Sequence, residues 1–185
     1  MSENLLNQCF DYNPETGRLL WKTRPRDHFK CEHGWKSFNG KLAGKDVGTL
    51  IKHPTTGKTY QMFEMNGRTL YAHRVIWELL HGEKPEQIDH INGDGTDNRS
   101  CNLRAADRQT NARNQRLRYD STTNVTGVVF DKAAKGLQRW RSRIADSNGN
   151  RKSKRFYTLF DAVCWRKSKE IEYDYHENHG EVRPL

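Results

Sequence analysis

Residues 88–115 read Ile88-Asp89-His90-Ile91-Asn92-Gly93-Asp94-Gly95-Thr96-Asp97-Asn98-Arg99-Ser100-Cys101-Asn102-Leu103-Arg104-Ala105-Ala106-Asp107-Arg108-Gln109-Thr110-Asn111-Ala112-Arg113-Asn114-Gln115. An acid and a base stand side by side at Asp89 and His90. Asn102 follows His90 by twelve positions, and Asn111 follows Asn102 by nine. Gln87 to Ile91 has the character of a short strand, and residues 92–98 are rich in the Asn, Asp and Gly of loops. Asn102 to Ala106 can return as a second strand. Asp107 can cap a helix running from Arg108 to Arg116, because its side chain can accept from free amides of the first turn.

These residue types suit the cutting of a phosphodiester. That reaction needs charge neutralisation, a positioned water and a base. A hard divalent cation takes oxygen ligands, which the Asp89 carboxylate and the Asn111 amide supply. So small a ligand set leaves coordination positions for phosphate and water. The neutral imidazole of His90 can accept the proton of the water. Neighbouring strand residues point to opposite faces, so Asp89 and His90 require a local twist or targets on both sides of the strand. Asn102 is read as a brace that ties the loop through side-chain bonds to backbone. Asp94 and Asp97 are not assigned as ligands, since no register of the loop gives the Gly and Glu positions of a calcium hand.

Outward toward the N-terminus, Tyr60–Met65 and Arg68–Tyr71 flank Asn66-Gly67, a strong hairpin signal. Residues 72–82 follow as a helix with Val75, Ile76, Leu79 and Leu80 in one stripe, ended by Gly82 and Pro85. His73, at its start, is given a structural role beside the site. Arg18–Lys22 reads as a strand after the turn Asn13-Pro14-Glu15-Thr16-Gly17. Residues 23–48 have weak periodicity and are expected to be loop. Arg24, Arg26, Lys30 and Lys36 within it read as dispersed surface charge.

Toward the C-terminus, residues 117–124 read as a linker. A strand at Gly127–Phe130, a second at Gln138–Ala145, a turn at 146–150 and a basic third strand at Arg151–Tyr157 follow. Period two sets Arg139, Arg141 and Arg143 on one face, with Trp140, Ser142 and Ile144 on the other. Thr158–Asp161 resembles a capping box, and a helix over about 159–175 carries Phe160, Val163, Cys164 and Ile171 at helical spacing. That stripe is expected to cover the sheet and leave the arginine face open to DNA, where Arg can read guanine edges and phosphate. Lys152, Lys154 and Arg155 of the third strand, with Arg113 and Arg116 near the site, complete the expected DNA contacts.

Composition agrees with an anionic partner. The chain has 185 residues, 34% of them hydrophobic, and a net charge of +9. Mean hydropathy is −1.04 and the pI about 9.5. A large core is excluded, and several small units are favoured. Residues 99–170 hold 18 Lys and Arg against 6 Asp and Glu, so the excess positive charge lies at and after the opening stretch. Four scattered cysteines without a C-x-x-C pair argue against a zinc ribbon and for an intracellular setting, cytoplasmic in the host cell if the chain is phage-encoded. No apolar run is long enough to span a membrane.

The run from Ile88 to Asn114 resembles the HNH endonucleases of phage and homing type. Ala72–Gly82 and Phe10–Trp21 look like the N-terminal part of the same group. The resemblance implies a ββα-metal module with Asp89 and Asn111 holding one Mg²⁺ or Mn²⁺, His90 as general base and Asn102 bracing the loop. The third motif position is Asn111 rather than a histidine. Residues 124–180 resemble an AP2-type DNA-binding domain through T-G-V-V-F-D, R-W-R-S-R-I, the Asn-Gly turn and the helix beginning D-A-V-C-W-R. The expected organisation is therefore α+β: an HNH nuclease region over 1–116 with its core at 70–116, a linker at 117–124, and an AP2-like module over 125–185 with a three-stranded antiparallel sheet on one helix. The expected activity is site-specific cutting of double-stranded DNA. One site per chain makes nicking by a monomer the default, whereas a dimer would cut both strands. A DNA-binding regulator with a disused nuclease fold and a nuclease of low specificity are the rival readings.

Overall fold

The structure is a computed structural model and describes residues 3–54, 57–118 and 120–182. Tyr119 of the expected linker and residues 183–185 of the expected C-terminal module lie outside the described residues. The chain is mixed α+β and divides into two compact units, Met1–Ala106 and Asp107–Pro184.

The first unit opens with α1 (Glu3–Cys9) and the antiparallel pair β1 (Phe10–Tyr12) and β2 (Leu19–Trp21). Helix α2 (Glu32–Leu42) follows, then a sheet of β3 (Thr49–Lys52), β4 (Thr59–Met65) and β5 (Arg68–Tyr71) with β4 in the middle. Helix α3 (Ala72–His81) leads to the two-stranded ribbon β6 (Gln87–His90) and β7 (Leu103–Ala106). The β4–β5 turn takes positive φ at both Asn66 (54°) and Gly67 (70°), which matches the right-handed twist of the flanking strands. Gly82 ends α3 in the left-handed conformation.

One core serves the whole unit. Phe10, Trp21 and Phe63 meet edge-on or tilted, with centroids 4.8 to 5.5 Å apart. Leu6, Leu19, Val47, Ile76, Ile88 and Leu103 pack around them. The ribbon β6–β7 therefore shares its apolar support with the first 65 residues rather than forming a free-standing module. In α3, Val75 and Ile76 are buried as expected, but Leu80 in the last turn is 43% exposed and Trp77 is buried in its stead.

Residues 23–48 are not a loop throughout, because α2 occupies their centre. No residue of α2 is fully buried; Trp35 and Phe38 on one face are half-buried, and Leu42 beyond them is exposed. It is capped by Cys31, whose Sγ accepts from Gly34 N, an uncommon cap. Local anchors hold it: Trp35 Nε1 donates to Arg24 O at 2.9 Å, and Phe38 packs on Trp21 at 5.1 Å. Arg24 is buried, with its guanidinium over Phe29 and Phe38, and is thus not surface charge.

The loop between β6 and β7 is pinned from two sides. Tyr12 OH donates to Asn98 O at 2.8 Å, and Ser100 N donates to Pro14 O at 3.2 Å. Gly95 lies so close to β4 that a Cβ there would stand 2.4 Å from Thr59 O. The turn before β2 needs Gly17, with φ of +72°, because a Cβ would stand 2.6 Å from Arg99 N.

The second unit begins with α4 (Arg108–Arg113), capped by Asp107, whose carboxylate accepts from Thr110 N at 2.7 Å. The helix stops three residues short of the expected Arg116, with Asn114 buried at its C-cap. It buries no residue of its own, so little rewards extending it. Strands β8 (Val128–Phe130), β9 (Trp140–Ala145) and β10 (Arg151–Phe156) form an antiparallel sheet with β9 central, followed by α5 (Leu159–Glu172). Thr158 caps α5 by accepting from Asp161 N.

The face of α5 that is buried differs from the expected stripe. Ala162, Arg166 and Glu170 are its buried residues, while Phe160 is 74% and Ile171 83% exposed. A guanidinium replaces apolar packing because each of its three nitrogens finds an acceptor. Arg166 Nε donates to Glu170 Oε1 at 2.7 Å, Nη1 to Arg143 O on β9, and Nη2 to His179 Nε2 at 3.0 Å.

Two outcomes follow for stability. Gly17→Ala should lower the free energy of unfolding by about 1–3 kcal/mol, from strained φ and the clash with residues 98 and 99, and so lower the midpoint in urea; an unchanged midpoint would contradict the close approach. Burial, with Arg166 alongside, lowers the His179 pKa from 6.5 to about 4. Below pH 6.5 the unfolded chain gains a proton that folded His179 refuses, so its contribution is complete above 6.5 and is lost as the pH falls to about 4. Thermal melts over this range should show a shallower decline in His179→Gln, whose amide oxygen still accepts from Arg166, than in the wild type; parallel declines would contradict it.

Candidate active site

In the β6–β7 ribbon Asp89 lies opposite Arg104, and His90 opposite Leu103. Both Asp89 and His90 are buried, at 5% and 6% exposure, so both faces of the ribbon are covered at this point. Alternation along the strand gives the two side chains different surroundings. Asp89 Oδ2 accepts from Arg104 Nε at 3.0 Å and Nη2 at 2.7 Å. His90 packs its ring edge-on against His73, 5.1 Å between centroids, with Tyr60 at 6.1 Å. Its Nε2 lies 3.2 Å from Asn98 Oδ1.

Burial pushes the His90 pKa below the usual imidazole value, a tendency that Asn98 and Asp89 oppose. Burial, with the charges of His90 and Arg74 adding to it, lowers His73 further, to about 3. Two neutral imidazoles at neutral pH can donate or accept protons but add no positive charge beside Asp89. A neutral His90 is the form that can take a proton from water.

Asn102 bridges the two ends of the loop: its Oδ1 accepts from Asn92 N at 2.9 Å and its Nδ2 donates to Asp97 O at 2.8 Å. Asp94 accepts from Thr96 N and Oγ1, and Asp97 pairs with Arg99 at 2.6 Å. Their carboxylates shape the loop. Asn111 lies on α4 of the second unit, half-buried, with its backbone N donating to Asp107 O. The structure thus gathers Asp89, His90, Asn102 and His73 in the first unit, and carries Asn111 on the second.

Arg104, Asn98, Gln61 and Tyr60 belong to this cluster and were not foreseen. Arg104 was accessible from strand register alone, since a two-strand reading of 87–91 and 102–106 brings it near Asp89. Asn98 looked like any polar loop residue. Gln61 lies in a hairpin whose nearness to the loop has no local signature.

Among the described residues no group of three or more His, Cys, Asp and Glu could hold a metal ion. The expected donors, a carboxylate and an amide oxygen, suit a hard cation such as Mg²⁺ or Mn²⁺ and not zinc. The Asp89 carboxylate is buried and held in a fixed orientation by Arg104, as a pre-set ligand would be, and a cation there would share it with that guanidinium.

In the second unit the β9–β10 register sorts the basic residues. Arg155 pairs across from Arg141 and Ser153 from Arg143, so Arg141, Arg143, Arg151 and Arg155 share a face. Arg151 was not among the expected contacts. Lys154 lies opposite Ser142 and Lys152 opposite Ile144, which places both on the other side of the sheet, the side of the buried residues. Lys152 and Lys154 thus lie on the other side of β10 from Arg155. Arg139 precedes β9 and donates to Gly136 O. Arg155 and Arg141 share Asp131 at 2.8 and 3.7 Å. Arg113 lies over Tyr175 and donates to Asp146 O, so it also packs; Arg116 is half-buried.

No described helix is long and apolar enough to cross a membrane. No solved structure gives a significant match to the chain. Over 110 residues it is 27% identical to Protein 3.8 of Escherichia phage T7, an alignment that covers 58% of this chain and 85% of that protein. Residues 70–113 match the sequence model of the HNH endonuclease family. The matched segment runs from the end of β5 through α4 and so is not N-terminal: almost all of β1 to β5 lies ahead of it. Residues 70–113 of this chain are an HNH endonuclease domain.

Proposed function

We propose that the protein is a site-specific DNA endonuclease of the homing type, phage- or intron-encoded, that nicks double-stranded DNA with one Mg²⁺ or Mn²⁺. The observation that carries this reading is His90, buried beside the arginine-held Asp89 inside the HNH segment. Asp89 and Asn111 would hold the cation. When bound, the cation supplies positive charge to the scissile phosphate and the departing 3′-oxygen. His90 accepts the proton of the attacking water, leaving a 5′-phosphate and a 3′-hydroxyl. Asn102 keeps the loop closed over the start of β7, and His73 fills the space beside the His90 ring. Both act on the geometry of the base.

The second unit supplies affinity and register in this reading, in the manner of an AP2-like domain. Arg141, Arg143, Arg151 and Arg155 on one sheet face support it, since a stranded arginine face can enter the major groove. Arg139 adds charge at the entrance to β9. Lys152 and Lys154, from the opposite side of the edge strand, can reach phosphate only around that edge. Similarity to a phage protein agrees with a phage setting.

The full chain incubated with long duplex DNA and Mg²⁺, followed by mapping of the broken ends, tests the reading. The expected result is recurrent nicks at few positions, each with a 5′-phosphate, and none with Asp89→Ala. Breaks scattered along the DNA would defeat the site-specific reading, and intact DNA would defeat the nuclease reading.

A further inference from the structure

His90 is held by more than its neighbour. A chain of side-chain bonds runs from the core of the first unit to its ring. Gln61 Nε2 donates to Val47 O at 2.7 Å. Asn98 Nδ2 donates to Gln61 Oε1 at 3.0 Å. Asn98 Oδ1 then faces His90 Nε2 at 3.2 Å.

The polarity of this chain is set at its far end. A backbone carbonyl can only accept, so Gln61 must turn its NH₂ toward Val47. Its oxygen then faces Asn98, which must answer with its own NH₂. The Asn98 oxygen is left to face the ring, and an amide oxygen can only accept. His90 must therefore donate from Nε2. The geometry points to Gln61 and Asn98 as positioning residues that fix the His90 tautomer with its proton on Nε2 and the proton-accepting lone pair on Nδ1. This rests on the reading of His90 as the base.

Each link is anchored independently of the ring. Val47 is fully buried, and its N donates to Leu19 O at 2.8 Å. Gln61 sits in the β3–β4 ladder opposite Leu50. Asn98 is 2% exposed, its carbonyl accepts from Tyr12 OH, and Gly17 presses on its backbone. An amide held at both ends cannot turn over without breaking two bonds, so the ring inherits a direction as well as a place. Gln61 lies outside the HNH segment at 70–113, which assigns part of the base's orientation to the preceding hairpin.

The test uses the full chain labelled with ¹⁵N, free of metal and DNA, at neutral pH. Long-range ¹H–¹⁵N spectra report the tautomer, with the His90 signals identified by their loss in His90→Gln. The wild type should show the proton on Nε2. Gln61→Leu frees the Asn98 amide to turn over, so both tautomers should appear, and kcat for nicking should fall about tenfold with KM unchanged. Backbone amide shifts that stay at their wild-type positions away from residues 61, 90 and 98 guard against misfolding of the leucine variant, and the wild-type tautomer tests the relay without any substitution. A wild-type proton on Nδ1, or a Gln61→Leu spectrum identical to wild type, would overturn the proposal. Should the tautomers behave as expected while His90→Gln nicks normally, the relay stands and the reading of His90 as base fails.

Discussion

The first unit depends on how the loop from Ile91 to Asn102 is fastened. It is mostly polar, and it sits between β6 and β7, where Asp89 and His90 must be held still. Three fastenings do this. Asn102 ties the loop to itself through Asn92 and Asp97. Tyr12 and Pro14 hold it from the β1–β2 hairpin. Gln61 holds it from β4. Since Phe10, Trp21 and Phe63 lock that hairpin and β4 into one core, the loop between β6 and β7 is fastened by residues outside the matched segment. A buried acid and a buried imidazole on one short strand are costly, and the neighbours that satisfy them come from four separate parts of the chain.

The second unit solves a different problem with the same economy of apolar residues. Its sheet is covered by a helix whose buried face is small or charged: Ala162, Arg166, Glu170. Arg166 binds strand, helix and C-terminal segment together through Arg143 O, Glu170 and His179. Removing one partner of such a buried set is costly, because the rest keep their charge without compensation. The opposite face of the sheet then carries arginines without needing any of them for packing, apart from the two that share Asp131.

The sequence made the elements with strong local signals legible. The Asn66-Gly67 hairpin, the α3 helix ended by Gly82, the β6–β7 ribbon and the Asp107 and Thr158 caps all depend on residues within a few positions of one another. Helix α2 was missed because Trp35, Phe38 and Leu42 make only a short stripe among Gly, Lys and Asn, and its anchors, Arg24 and Trp21, lie outside it. The face of α5 was misread because spacing identifies Phe160 and Ile171 as a stripe but cannot reveal that a guanidinium with enough acceptors will be buried in preference. Within the site, Asp89, His90, Asn102 and His73 were named from residue type and spacing, whereas Asn98 and Gln61 were not. Their roles arise from contacts spanning 8 and 37 positions, which no short motif encodes.

The central claim is that His90 takes the proton of the attacking water. Single-turnover nicking of supercoiled plasmid in Mg²⁺, comparing wild type with His90→Ala at saturating protein, measures this most directly. The account predicts a rate lower by about a hundredfold or more in the variant, with DNA affinity unchanged. Equal rates would contradict it.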